Sequence, residues 1–161
     1  MKPFIGLDVS LEKTAICVTS EHGRIVREAQ AASEPEALTR CMAGLDGTIA
    51  AIGLEAGPLS QWLHRGLTEA GLDVVLMETR QVKGALKAMP IKTDRRDAEG
   101  IARLLHLGWF RPVHCKSLSA QEVRAVLNAR KAVQQGVIAL EMSLRGLLWN
   151  FGLKVGTISR G

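Results

Sequence analysis

The sequence predicts an α/β domain, a mixed sheet flanked by helices, followed by a long coiled-coil-like helix. Three observations predict it. Short apolar runs between Phe4 and Ala31 are separated by tight turns, as in a meander of strands. Two further apolar runs, Thr48 to Glu55 and Asp73 to Glu78, are separated by a helical pattern. From Ser119 onward apolar residues recur at heptad steps. At 161 residues and 47% hydrophobic, the chain can bury one ordinary core, and with 4% aromatics and no Tyr it must fill that core with Leu, Val, Ile and Ala.

Phe4 to Val9 is short and apolar, Thr14 to Thr19 alternates, and Glu21-His22-Gly23-Arg24 is a turn with Gly at its tip, so the third strand ends near Ala31. Ser33 reads as an N-cap, with Pro35 and the acids Glu34 and Glu36 in the first turn and Leu38, Met42 and Leu45 at helical spacing. Thr48 to Glu55 suits a strand covered on both faces. Gly57-Pro58 opens a helix whose apolar face is Leu59, Trp62, Leu63 and Leu67 and which closes at Gly71. Asp73 to Glu78 is another buried strand. A basic helical stretch from Arg80 to Met89 follows, then a break at Pro90 and a helix from Thr93 to about Leu107. The order βββαβαβαα places the first and fourth strands side by side, with helices on both faces.

The tail is a separate region. Ser119-Ala120-Gln121-Glu122 reads as a capping box, and Val126, Arg130, Val133, Val137, Leu140, Leu144, Leu147 and Phe151 form a heptad seam. Gly136 and Gly146 weaken that helix by about 1 kcal/mol each relative to Ala. The expected division is therefore 1–115 and 116–161.

No apolar run reaches the roughly 20 residues that span a bilayer, and the start passes into a strand without a signal-peptide core, so a cytoplasmic, bacterial location and no membrane are expected. Cys17, Cys41 and Cys115 have no metal-ligand spacing and read as reduced, mostly buried thiols. The four histidines likewise lack ligand spacing and read as surface or packing residues, while Trp62, Trp109 and Trp149 are expected in the core.

The charge of +5 lies in the tail, since residues 1–115 hold 14 Lys/Arg and 14 Asp/Glu and residues 116–161 hold 7 and 2. A second surplus of five runs from Arg80 to Arg111, which holds eight basic residues against Asp94, Asp97 and Glu99. Either stretch alone would be a solvated helix face; beside a carboxylate cluster they suit a polyanion.

Asp8 sits inside the first strand near its end, where a lone Asp is ordinarily a turn cap. Glu55 ends the fourth strand before a helix N-terminus, which favours a carboxylate for electrostatic reasons alone. Asp94 and Asp97 stand three apart on one face of a helix's first turn, as a cap and its reciprocal acid would. The combination points to function, because the predicted topology brings acids from three elements to one spot. Carboxylates that close repel one another unless cations compensate, and Mg²⁺ or Mn²⁺, two ions about 4 Å apart, would do so while clamping a phosphodiester. Lys83, Lys87, Lys92, Arg95 and Arg96 would then hold flanking phosphates.

Gly6-Leu7-Asp8-Val9-Ser10, Leu54-Glu55-Ala56-Gly57-Pro58-Leu59-Ser60-Gln61-Trp62-Leu63, Glu78-Thr79-Arg80 and Lys92-Thr93-Asp94-Arg95-Arg96-Asp97-Ala98 closely resemble the DEDD transposases, the "one-ten" group of bacterial insertion sequences related to the pilin-gene invertase. Trp109 to His114 and Asn150 to Gly156 resemble further segments of that family. The resemblance implies a RuvC-like domain of the ribonuclease H fold with the metal-binding, catalytic tetrad Asp8, Glu55, Asp94 and Asp97. It also implies a helical region after that domain, a later domain supplying a serine nucleophile, and DNA and an element-encoded guide RNA as partners. A homo-oligomer through the 119–151 helix is expected from the seam. Because the sequence stops at Ile158-Ser159-Arg160-Gly161, just past the long helix, a piece lacking the serine domain is expected, and Ser159 is not expected to replace that nucleophile.

Two other readings use the same residues. A metal-dependent, resolvase-like nuclease would need only the tetrad and water, and a non-catalytic RNA- or DNA-binding oligomerisation module would need only the basic surface. An actin-like sugar-kinase fold, which also begins with Asp and a hydroxyl residue, needs two lobes and is too long for this chain.

Overall fold

A meander and two parallel crossovers build the sheet of this chain. The computed structural model describes residues 2–45, 47–87 and 93–156. Met89, Pro90, Lys92 and Ser159, on which parts of the sequence reading fall, lie outside them. Contacts divide the chain into two units, 1–115 and 116–161.

In the first unit β1 (Phe4–Val9), β2 (Lys13–Thr19) and β3 (Ile25–Ala32) pair antiparallel, while β4 (Ala51–Glu55) lies parallel to β1 and β5 (Val74–Met77) parallel to β4. The strand order is β3-β2-β1-β4-β5, so the first and fourth strands are neighbours as the chain order predicts. The outer edge of β5 is covered by the segment around Pro112, through Glu78 N–H to the Arg111 carbonyl and Val113 N–H to the Leu76 carbonyl. That pairing removes one open sheet edge.

Strand alternation sorts the sheet residues between two layers. Ile5, Leu7, Ile16, Val18, Ile52, Leu54, Val74 and Leu76 pack with Leu38 and Met42 of α1 (Pro35–Met42) and Leu63 and Leu67 of α2 (Ser60–Glu69). On the opposite face Met77 packs with Val82 of α3 (Thr79–Leu86) and with Ile101, Leu104 and Leu105 of α4 (Asp94–His106), and Ala15 and Cys17 pack with Ala98 and Ala102.

Some local expectations are corrected. Ser33 does not cap α1; its hydroxyl bonds Thr14 at 2.8 Å and the Ser10 carbonyl at 2.7 Å, and Glu34 takes the cap position without a side-chain bond. Helix α1 ends at Met42 rather than continuing to Leu45. All three tryptophans are exposed. Trp62 lies off the Ser60, Leu63, Leu67 stripe that α2 buries, and Trp109 follows the end of α4. Of the cysteines only Cys17 is fully buried. Gly71, at φ 82°, ends α2 in the left-handed conformation predicted for it.

The second unit holds one 33-residue helix, α5 (Leu118–Asn150), capped by the Ser117 hydroxyl accepting from Ala120 N–H at 3.3 Å, not by Ser119. The helix starts before Ser119, which therefore lies inside its first turn. At its end Gly152 adopts φ 74°, with Gly152 N–H to the Trp149 carbonyl and Leu153 N–H to the Leu148 carbonyl, a Schellman closure.

Gly6 sets how closely α4 lies on the sheet. A Cβ there would come within 2.1 Å of the Ala98 carbonyl oxygen and 2.4 Å of the Ala102 nitrogen, both backbone atoms that cannot step aside alone. Gly6→Ala is therefore expected to lower unfolding stability by about 2 kcal/mol or more. Urea denaturation measures it, and an unchanged stability would mean that α4 stands farther from β1.

Candidate functional site

Register and pleat carry two carboxylates to the α4 face. Gly6 and Gly53 are paired across β1 and β4, and Leu7 and Leu54 follow, facing the other layer. Asp8 and Glu55 come next, on the same face as the two glycines and just past the last β1–β4 pair, with Asp8 opposite Ala15 and Glu55 opposite Met77. Helix α4 continues the pattern from above. Its buried residues Ala98, Ile101, Ala102 and Leu105 recur at steps of three, one and three, and the same stripe extended back by one turn reaches Asp94 and Asp97. The acids thus stand where a core stripe runs off the end of the core.

A cavity of about 480 Å³ lies there, lined by Asp8, Glu55, Asp97, Thr79 and Lys83, by the β1–β2 turn at Ser10 and Leu11, and by residues 56–60. Asp8, Glu55 and Asp97 are half-buried; Asp94 is exposed and does not line the cavity. Thr93 caps α4 by accepting from Arg96 N–H, which fixes the first turn that carries both aspartates. The walls are tied by hydroxyls. Thr79 donates to the Ala56 carbonyl at 2.7 Å, and Ser60 Oγ donates to the Gly57 carbonyl at 2.7 Å while accepting from Gly57 N–H at 3.0 Å. Ser33 holds the Ser10 end of the turn.

Hard oxygen donors on three sides of one cavity suit a divalent ion such as Mg²⁺. No three His, Cys, Asp or Glu side chains among the described residues are already drawn together at ligand spacing. A cationic stand-in is present instead: Lys83 Nζ lies 3.7 Å from Glu55 Oε1. The donor set, carboxylates with nearby hydroxyls, is of the type that fits a hard divalent ion.

The family model for transposases of the IS110 DEDD group matches residues 5–151. The chain belongs to the DEDD transposase family. The transposase for insertion sequence element IS1111A of Coxiella burnetii (strain RSA 493 / Nine Mile phase I) is 28% identical over 163 residues, covering 98% of this chain and 41% of that protein. The chain thus spans about two-fifths of the length of this relative. Among solved structures, T. thermophilus RuvC in complex with a Holliday junction substrate is similar at TM-score 0.50 and 14% identity, over 70% of this chain and 100% of RuvC. A second Thermus thermophilus RuvC structure gives TM-score 0.48 at 15% identity, over 68% of this chain and 98% of its own. The fold is RuvC-like, of the ribonuclease H type. Membership of the DEDD transposases implies dependence on divalent metal.

The basic residues expected to hold phosphates in this DEDD transposase chain have different placements. Lys83 lines the cavity, Lys87 is exposed at the end of α3, Arg96 is half-buried beside Asp97, and Lys92 lies outside the described residues. Arg95 is engaged elsewhere: its guanidinium makes a two-pronged ion pair with Glu28 on β3. Arg103 likewise bonds Glu99 at 2.6 Å and Arg111 approaches Glu78 at 3.5 Å. Gly6, Thr79 and Ser60 fall inside the family-like segments, but the sequence assigns them no role, and Glu28 carries no signal at all; each acts by placing a neighbour. Beneath the ion pair, burial first and then the charges of Glu28 and Glu99 push the Cys17 thiol up to about 11, which leaves it protonated and unreactive.

The Arg95 guanidinium, through its hydrogen bonds and then its charge, holds Glu28 below the usual carboxylate range. A depressed carboxylate stabilises the fold fully above its ordinary value, near 4.5, and loses that contribution as pH falls through its folded value. Glu28→Gln is therefore expected to be less stable at neutral pH, and its thermal midpoint should fall less than that of the natural chain between about pH 5 and about pH 3. Parallel midpoint curves for the two proteins would show that the pair contributes nothing.

Proposed function

We propose that residues 1–115 are the metal- and DNA-binding, nuclease-like domain of an insertion-sequence transposase, acting in DNA transposition, and that residues 116–161 begin the helical region leading to a further transposase domain. The observation that carries this reading is the convergence of Asp8, Glu55 and Asp97 on one cavity of a RuvC-like fold in a chain of the DEDD family. Those three residues would hold Mg²⁺ or Mn²⁺, two ions in all, with Asp94 joining from the exposed end of the same helical turn. When bound, such ions polarise a phosphodiester and lower the pKa of an attacking hydroxyl or water. The chain's own residues do the rest. Lys83, Lys87 and Arg96 would position phosphates around the cavity, whereas Arg95, held by Glu28, would steady the first turn of α4. DNA is the proposed substrate and an element-encoded RNA a proposed partner. The serine of the family's later domain is the proposed joining nucleophile, and no serine of residues 1–161 is given that role. A resolvase-like nuclease is a second reading, favoured by the completeness of the RuvC-like fold around the cavity; metal-dependent cleavage of a branched duplex by this chain, without a covalent protein–DNA adduct, would support it.

Metal should stabilise the folded chain. At a Mn²⁺ concentration of 100 times Kd the gain is about 2.7 kcal/mol, and a thermal melt reads it as a raised midpoint. Asp8→Asn and Asp97→Asn should each abolish the shift, while Asp94→Asn, whose side chain is outside the cavity lining, should keep part of it. A full shift in Asp97→Asn would move the metal away from this cavity.

Self-association through α5 is the second expectation. Val126, Val133, Val137, Leu140, Leu144, Leu147 and Phe151 are all exposed along the seam. Light scattering should give a dimer or larger species, and Leu140→Asp with Leu144→Asp should shift it toward monomer. A natural chain that stays monomeric at tens of micromolar would end the idea.

A further inference from the structure

Among the described residues that line the carboxylate cavity, Lys83 is the one cation. Its placement is built rather than incidental. Helix α3 is anchored by Val82, fully buried against the α4 layer. One helical turn separates Thr79 from Lys83, so the two share a face. Thr79 bonds the Ala56 carbonyl, the residue after Glu55, and Lys83 reaches the Glu55 carboxylate itself at 3.7 Å. The helix therefore holds an ammonium beside the end of β4 by two attachments, one to backbone and one to charge. The lysine side chain is nonetheless 64% exposed, against 24% for Glu55, so its flexible stem is free to swing outward.

We propose that Lys83 is the resident counter-ion of the cavity, competing with the divalent metal for Glu55 and passing to a nucleic-acid phosphate when the metal enters. The inference rests on the metal-site reading of Asp8, Glu55 and Asp97. An ammonium and a divalent ion on the same carboxylate repel at a few ångströms, so each lowers the occupancy of the other. Displaced from Glu55, the ammonium needs an anion, and a phosphate drawn to the same cavity supplies one. Metal binding then frees a phosphate ligand and phosphate binding removes a competitor of the metal, a reciprocal coupling of the two events. An ordinary phosphate-binding lysine would strengthen nucleic-acid binding with no effect on the metal. A purely structural ion pair would change stability alone.

The test uses the full 161-residue chain without nucleic acid, titrated with Mn²⁺ by calorimetry, in natural, Lys83→Gln and Lys83→Arg forms. Lys83→Gln should bind Mn²⁺ about three- to ten-fold more tightly than the natural chain, and Lys83→Arg should return toward the natural value. The same Lys83→Gln protein should bind a short duplex DNA more weakly in Mn²⁺, with its salt dependence reduced by about one phosphate contact. Opposite signs for metal and DNA support the role. Equal or weaker Mn²⁺ binding by Lys83→Gln overturns it while leaving the metal site in place. No Mn²⁺ binding by either protein overturns the metal-site reading and this role together. Matching unfolding midpoints in the absence of metal would show that the variant's effects do not come through folding.

Discussion

Everything at the cavity depends on how low α4 lies over β1. The helix backbone rests on Gly6 with no side chain between, and Gly53 on the neighbouring strand leaves room for Met77, Ile101 and Leu105. That seat fixes the height of the helix, and the α4 stripe fixes its rotation, because Ala98, Ile101, Ala102 and Leu105 must all face the sheet. With height and rotation both determined, Asp97 has little choice of position. It is one turn before Ile101 and arrives over the strand ends where Asp8 and Glu55 emerge on the same sheet face. A packing constraint thus places ionisable groups that would not gather by themselves, since like charges in a half-buried cavity oppose it.

Lys83 offsets part of that opposition by facing Glu55. The other paired cations between Arg80 and Arg111 meet acids outside the cavity lining, Arg95 with Glu28, Arg103 with Glu99 and Arg111 with Glu78. The local surplus is therefore partly consumed inside the domain, and a count of charges along the chain overstates how many are left for phosphates. The pairs also differ in kind. The two-pronged Arg95–Glu28 pair joins the α4 first turn to edge strand β3 with fixed geometry, whereas the Lys83–Glu55 pair is a single point charge at longer range. A rigid fork suits holding a helix in place, and a point charge on a long stem suits exchange.

The sheet was legible in the sequence because its signals are periodic and local: apolar alternation, Gly23 at a turn, Gly71 after a helix. The adjacency of β1 and β4 followed from connection rules, and with it the meeting of Asp8 and Glu55. Where the reading failed, tertiary partners decided. Ser33 looked like a cap, but a buried hydroxyl opposite Thr14 offered it two bonds instead. Trp62 looked like core, but it sits off the buried stripe of α2 by one residue, a difference of about 100° around the helix. The Arg95–Glu28 pair joins residues 67 apart on different elements, so no local pattern shows it. Asp94 and Asp97 are equivalent in the sequence pattern, and only the end of the sheet distinguishes the one that faces the cavity from the one beyond it.

The same dependence on partners governs α5. Its caps, Ser117 at one end and the Gly152 closure at the other, satisfy terminal backbone groups and contribute on the order of 1 kcal/mol each. A 33-residue helix with no buried residue gains nothing from a core of its own, and it carries Gly136 and Gly146 in its interior. In proteins most helix stability comes from packing an apolar face, and each Val or Leu fully buried is worth roughly 1.5–3 kcal/mol. The seam from Val126 to Phe151 holds that energy in reserve, while Arg130 interrupts it with a charge. An interrupted seam is costly to bury out of register, so the arginine constrains how a second helix can align along it. The tail therefore carries an exposed apolar seam with one charged residue set into it.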